Sequence, residues 1–309
     1  GGNDMKTTKK DAYELVTNEI IKGLENDIIP WEKSWVSIDQ APRNAVSNKP
    51  YRGINVLLLG LYTQLFGYND PRWVTYSQAK KLGGHVKKGE RSAPVVLWLP
   101  IYKHTNECGE NYKERCENIG FGEDDCKKRV HVANYSVFNV EQCDGLKISK
   151  IDLPTGVSTE YSPIEEAEQI ISEYISRENI ATGTGQRAYY SPTDDKIVMP
   201  EHNAFKNNEA YYDTFFHEIG HSTGHSSRLN RQNDGQPVHF GSESYANEEL
   251  VAEMTSGFLS NIVGIDNPKS KEQRVAYIQG WLKALKNDKK LVIIASSQAQ
   301  KATDMIINK

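Results

Sequence analysis

The sequence predicts an α+β protein of two domains, and three observations carry that expectation. Apolar residues recur at three- and four-residue spacing in some segments, as amphipathic helices require, and alternate or cluster in short runs in others, as strands do. Residues 146–162 are rich in Gly, Pro, Ser and Thr without helical periodicity and read as a linker between 1–145 and 163–309. The charge divides near the same place. Residues 1–150 carry 22 basic and 19 acidic side chains, whereas 151–309 carry 15 and 22, within a net charge of −4. Such asymmetry between halves suggests two tasks.

In the first domain, Tyr13, Val16, Ile20 and Leu24 share one face of a helix expected over 6–26, capped by Thr8 or Asp11. A loop holding Pro30, Trp31 and Trp35 follows, then an apolar helix over 56–65. Residues 71–76 read as a strand. Ser77 is the expected cap of a helix over 78–82, which Gly83-Gly84 ends. Lys87-Lys88-Gly89-Glu90-Arg91 is a basic turn before a strand over 93–102, and a second strand covers 130–139. Between these strands, 104–129 is a polar surface excursion containing Cys108, Cys116 and Cys126. With Cys143 these make four cysteines, none spaced Cys-x-x-Cys, and reduced thiols are expected.

Nine basic residues against two acidic ones fall within 43–91, interleaved with aromatics. Rings that stack on bases and cations that follow phosphates are what single-stranded nucleic acid needs. The competing reading places the same Trp and Tyr residues in the core. No helix-turn-helix or zinc-finger pattern points to a duplex reader.

The second domain opens with Pro163 as the first residue of a helix whose Ile164, Ala167, Ile170, Ile171, Tyr174 and Ile175 form an apolar face. Residues 188–192 and 196–200 read as a hairpin. Its 197–199 strand is the candidate edge to which an extended substrate would pair. Asn207 or Asn208 caps the next helix, which carries His217-Glu218-x-x-His221. Positions i and i+4 share a helical face, so both imidazoles can reach one cation, with Glu218 beside them as general base. Phe215 and Phe216 bury one flank, and Gly224 is placed to end the helix in a left-handed cap.

A third ligand is required. The spacing that would supply a His at 227 finds Ser227. A helix over 245–254 offers Glu249 and Glu253 on one face, packed through Leu250, Val251 and Met254. Glu249 is assigned as ligand and Glu253 as the carboxylate holding a ligand imidazole by its other nitrogen. The reverse assignment is the alternative, and a solvated acidic face of Glu248, Glu249 and Glu253 is the reading without a metal. His225 is a further possible ligand or a group shaping the site. The donor set favours Zn2+, with Mn2+ or another divalent transition metal able to occupy it. Helices over 271–287 and 291–307 complete the domain.

Pro30-Trp31, residues 51–55, residues 70–79, residues 86–90 and residues 137–142 together resemble the N-terminal domain of ArdC-type antirestriction proteins, a domain found also in a plasmid DNA primase family. The resemblance continues through 215–228 and 240–253, and so covers nearly the whole chain; segment 104–129 departs from it. It implies an N-terminal mixed α/β domain that binds single-stranded DNA without sequence preference. Trp31, Tyr51, Arg52, Asn55, Arg72, Trp73, Lys87, Lys88 and Arg91 are the candidate contacts. The order of helix, hairpin, metal helix and glutamate helix resembles the zincin-like metallopeptidases, which implies hydrolysis of a protein or peptide substrate. A DNA-binding protein with a structural metal site, and a peptidase with a protein-binding first domain, are the other classes. No run of about 18 apolar residues suggests a membrane span, and no hydrophobic signal core opens the chain, so the cytoplasm is the expected location.

Overall fold

The computed structural model describes residues 12–32, 41–104, 126–149, 163–231, 243–266 and 271–309. The chain begins with α1 (Ala12–Glu25), whose Val16, Ile20 and Leu24 are buried as their spacing requires. After β1 (Arg43–Asn44), α2 (Ile54–Phe66) is apolar on nearly every side and correspondingly buried. It ends on Gly67 in the left-handed conformation that glycine adopts without strain. β2 (Arg72–Val74) leads into α3 (Tyr76–Lys81). The cap of α3 is Thr75, not Ser77: the Thr75 hydroxyl accepts from the Gln78 N–H, and the Gln78 side chain accepts from the Thr75 N–H.

β3 (His85–Val86) pairs with β6 (Cys143–Asp144). Between them in sequence, β4 (Ala93–His104) and β5 (Cys126–Asn139) form a long antiparallel ribbon, in register from Ala93↔Val137 to His104↔Cys126. The sheet order is β1-β2-β5-β4, which leaves β4 at an edge. Both strands run further into the excursion than expected; its middle, with Cys108 and Cys116, lies outside the described residues, as does most of the 146–162 linker.

The second set starts with α4 (Pro163–Glu178). Then β7 (Ala181–Thr184), β8 (Tyr189–Ser191) and β9 (Lys196–Met199) make a sheet in the order β7-β9-β8. β7 escapes sequence reading because Ala-Thr-Gly-Thr has no apolar alternation. Its parallel pairing with β9 puts β9 in the middle. The 197–199 strand is therefore central, and the edges are β7 and β8.

Helices α5 (Asn208–Ser222), α6 (Glu243–Val263), α7 (Lys271–Asn287) and α8 (Leu291–Ile306) follow. The two halves share a hydrophobic core. Val16, Ile20, Leu24, Ile29, Trp31 and Leu57 from the first pack with Leu250, Met254, Trp281, Leu285 and Val292 from the second. Trp31 meets Trp281 edge to face at 6.2 Å and donates its indole N–H to the Tyr277 hydroxyl at 2.8 Å. A second cluster, built from α4, α5 and β9, supports the metal helix from the other side.

Candidate metal centre

α5 is started by Asn207, whose side-chain oxygen accepts from the Ala210 N–H at 3.0 Å. Phe216 and Ile219 are wholly buried, which fixes the rotation of the helix and turns His217 and His221 toward α6. Gly220 lets the two helices meet: a Cβ there would lie 3.1 Å from the Ala252 Cα. Leu250, Val251 and Met254 are buried as expected and aim Glu249 back at the histidines. The helix ends on Thr223 in a right-handed conformation, so Gly224 does not form the expected left-handed cap.

The Nε2 atoms of His217 and His221 are 3.1 Å apart. Glu249 places Oε2 3.5 Å from the first and Oε1 3.7 Å from the second. The three ligand atoms all lie within 4.8 Å of one another. Ligands held about 2.0–2.2 Å from one tetrahedral ion are about 3.3–3.6 Å apart, so two imidazoles and a carboxylate so spaced fit a divalent cation. Burial by itself would depress the His217 pKa, but the hydrogen bond to Glu249 and the charges of Glu253, Glu218 and Glu249 push it up to about 9. The site concentrates negative charge where a cation would sit.

Glu218 is 7% exposed. Burial raises its carboxyl above the usual range against the opposing pull of His217 and His221, and the Tyr190 backbone N–H donates to it. That hydrogen bond ties β8 to the site. Arg228 fixes the rest of the hairpin: its Nε donates to the Ser222 carbonyl at 2.7 Å, and its Nη atoms reach the Asp195 carboxylate and the Tyr190 hydroxyl.

A carboxylate that the sequence reading left on a solvated face, Glu248, lies beside a ligand imidazole, its Oε1 3.5 Å from His221 Nδ1. It is no solvated residue: Arg231 grips both its oxygens, at 3.0 and 2.7 Å, and also donates to the Gly220 carbonyl and the Thr223 hydroxyl. Burial opposes ionisation of Glu248, yet the hydrogen bonds from His221 and Arg231 outweigh it and hold its pKa below the usual range. Glu253 shares a hydrogen bond with the Tyr277 hydroxyl, and its charge raises the pKa of His217. His225 bonds Ser227 through Nδ1 at 2.7 Å and is not among the clustered ligand atoms.

The proposed DNA contacts divide. Trp31 and Trp73 are buried and offer no ring for a base. Arg72 is buried too, forked onto Asp70 and bonded to the Ser149 carbonyl. Asn55 spends its amide on the backbone of Val96, accepting at 2.7 Å and donating at 2.8 Å. These four maintain the fold. Tyr51 is half-buried, while Arg52, Lys87, Lys88 and Arg91 are exposed. Arg52 pairs with Asp304, and Arg91 lies over the Tyr62 ring and 3.4 Å from Glu19.

Comparison with known proteins agrees with this layout. Residues 10–138 match a family described as the N-terminal domain of anti-restriction factor ArdC, and 165–298 match one described as zincin-like metallopeptidase. Over 311 residues, 98% of the chain, it is 35% identical to a DNA primase TraC of Escherichia coli, of which it spans only 28%. It is 33% identical to the protein y4eC of Sinorhizobium fredii, covering 96% of this chain and 92% of that one. Crystal structures of antirestriction ArdC from plasmid R388, metal-free and Mn(II)-bound, superpose with TM-scores of 0.69 and 0.70 at 36% and 35% identity. Each covers 96% of this chain, which spans 96% and 97% of theirs. No described helix is long and apolar enough to cross a membrane. With both halves matched in order and relatives covered almost end to end, the chain belongs to the ArdC-type antirestriction protein family and carries a zincin-like domain.

Proposed function

We propose that the chain is an antirestriction protein of a mobile element that binds single-stranded DNA without sequence preference and hydrolyses a protein or peptide at His217, His221 and Glu249. The observation that carries the peptidase reading is the convergence of three ligand atoms beside a buried Glu218. Zinc is the metal the donor set favours, and Mn(II), bound by the R388 protein, is the alternative. The cation, when bound, supplies Lewis-acid polarisation of a scissile carbonyl.

The chain's own residues do the rest. Glu218, with a raised pKa, takes a proton from the attacking water at its carboxylate and returns it to the leaving amine nitrogen. The Tyr190 N–H keeps that carboxylate oriented. β8, the edge strand beside it, offers its backbone to an extended peptide. Glu248, held by Arg231, orients the His221 ring through Nδ1.

Glu218→Gln should keep metal affinity and abolish hydrolysis. Sequencing of newly formed protein termini in cells expressing wild type or Glu218→Gln tests this; identical sets in both would leave a metal centre without peptidase activity. For the DNA half, gel shifts with single- and double-stranded oligonucleotides over a salt series should show single-strand preference and an affinity that falls with salt. Salt-independent binding would count against it. Both activities suit a protein acting in the cytoplasm, where transferred DNA meets restriction.

A further inference from the structure

Of the nine residues singled out for DNA contact, four belong to the fold, and two of the others, Tyr51 and Arg52, line a cleft together with aromatic and basic side chains that were not singled out. A cleft of about 620 Å³ opens between the free edge of β4, the turn that leads into α2 and the face of α8. That volume is within the range of about 300–1,000 Å³ typical of clefts that enclose a single small ligand.

The strand register explains its character. Val95 pairs with Tyr135, so Val95, Leu97 and Tyr135 stand on one face of the ribbon, and Trp98 on the other. The cleft therefore wraps round the strand edge, where Asn55 has already satisfied the polar backbone of Val96. Leu97, Trp98 and Tyr135 are 47%, 41% and 46% exposed and together present a contiguous apolar surface to water. Half-buried Tyr51 adds a third ring to the wall.

Cations stand at the rim. Arg52 comes from the α2 turn and Lys301 from α8. The carboxylate of Asp304, also in the lining, is held by Arg52 and by the Gln300 amide at 3.0 Å, so Arg52 and Asp304 offset each other and the rim's net positive charge is that of Lys301. Lys301 is exposed and has no carboxylate partner among the described residues. Beyond Trp98 the pattern continues: Tyr13 meets it edge to face, and Lys290 lies over the Tyr13 ring.

We propose that this cleft is where single-stranded DNA is held, with unpaired bases stacked on Trp98 and Tyr135 and phosphates drawn to Lys301. Exposed rings flanked by cations suit unstacked bases, whereas an apolar peptide would have no use for the basic rim. Because α8 supplies one wall, the DNA site is built by both halves of the chain. The proposal rests on the single-strand-binding reading above and adds where the strand lies.

The test is titration of the full chain with end-labelled oligothymidylate of about 16 nucleotides, the upper site size of one single-strand-binding fold, with affinity read from the anisotropy of the label and contact read from tryptophan quenching. Of the described tryptophans, Trp31, Trp73 and Trp281 are buried and Trp98 is exposed, so the quench lost in Trp98→Phe measures contact at the cleft. Trp98→Ala should weaken binding about 5- to 150-fold, the loss expected for one stacked base. Trp98→Phe should retain most affinity while losing most of the quench, and exposed Lys301→Glu should lower affinity and flatten the salt dependence. If all three variants bind and quench as wild type does, the cleft is the wrong place while single-strand binding stands. Loss from Trp98→Ala with affinity and salt dependence unchanged in Lys301→Glu would overturn the assignment of the phosphates to this rim. If wild type itself fails to bind the oligonucleotide, the single-strand reading falls and takes the cleft with it.

Discussion

Replacing Arg231 with Met tests whether the metal helix is held by the buried pair beneath it. Arg231 is 6% exposed and its partner Glu248 12%. The substitution removes the Arg231 donors from both oxygens of Glu248, leaving only His221 beside Oε1, and takes a donor from the Thr223 hydroxyl, while the Gly220 carbonyl keeps the bond from that hydroxyl. Removing one member of a buried ion pair costs about 3–5 kcal/mol, because the other charge stays desolvated and alone. Neutralising Glu248 as well removes that penalty. The double variant Arg231→Met, Glu248→Gln should therefore be about 2–3 kcal/mol more stable than the sum of the single effects. Urea denaturation of metal-stripped protein measures both, with unchanged m-values confirming that stability alone has moved. Glu248→Gln alone should also weaken Zn(II) or Mn(II) binding about 10- to 100-fold by loosening the His221 ring. An Arg231→Met loss below about 1 kcal/mol, with additive single effects, would refute the reasoning.

Three further outcomes are expected. Gly257→Ala should prevent correct packing, since its Cβ would overlap the backbone carbonyl of Trp31, whereas Gly280→Ala, with nothing within 4 Å, should stabilise α7 by about 0.5–1 kcal/mol; thermal melts of both variants compare them. Burial opposes ionisation of Asp195, but the bonds from Arg228 and Tyr190 prevail and hold its pKa below the usual range. Its unfolded value, about 3.9, is the higher, so the stability it supplies is complete above roughly pH 4 and is lost as pH falls through its native value. Asp195→Asn should lower stability at neutral pH and flatten the acid limb of the stability curve, read by denaturation from pH 7 to 2. Tyr277→Phe should leave Trp31 and Glu253 without their shared hydroxyl and lower the thermal midpoint, while Lys88→Glu, on an exposed turn, should not.

The sequence by itself determined what is local. His217 and His221 share a helical face because the helix repeat requires it, and the apolar spacing around Leu250 and Met254 fixes which way Glu249 points. The capping oxygen of Asn207 and the periodicity of α1, α4 and α7 follow from the same short-range rules. The tertiary structure decided what depends on residues far apart in the chain. A lone glutamate beside a ligand gives no sign that it will be buried, and only Arg231, arriving from the loop after α5, makes Glu248 a support for His221. β7 became a strand because β9 lay beside it, and that pairing put β9 in the middle and left β7 and β8 at the edges. Trp31 and Trp73 read like stacking platforms, but burying a large ring gains more than exposing it, so they went to the core and left Trp98 and Tyr135 at the surface. Local spacing can state which side chains could meet, but whether they face water or one another is settled by non-local packing, because burial depends on the whole chain.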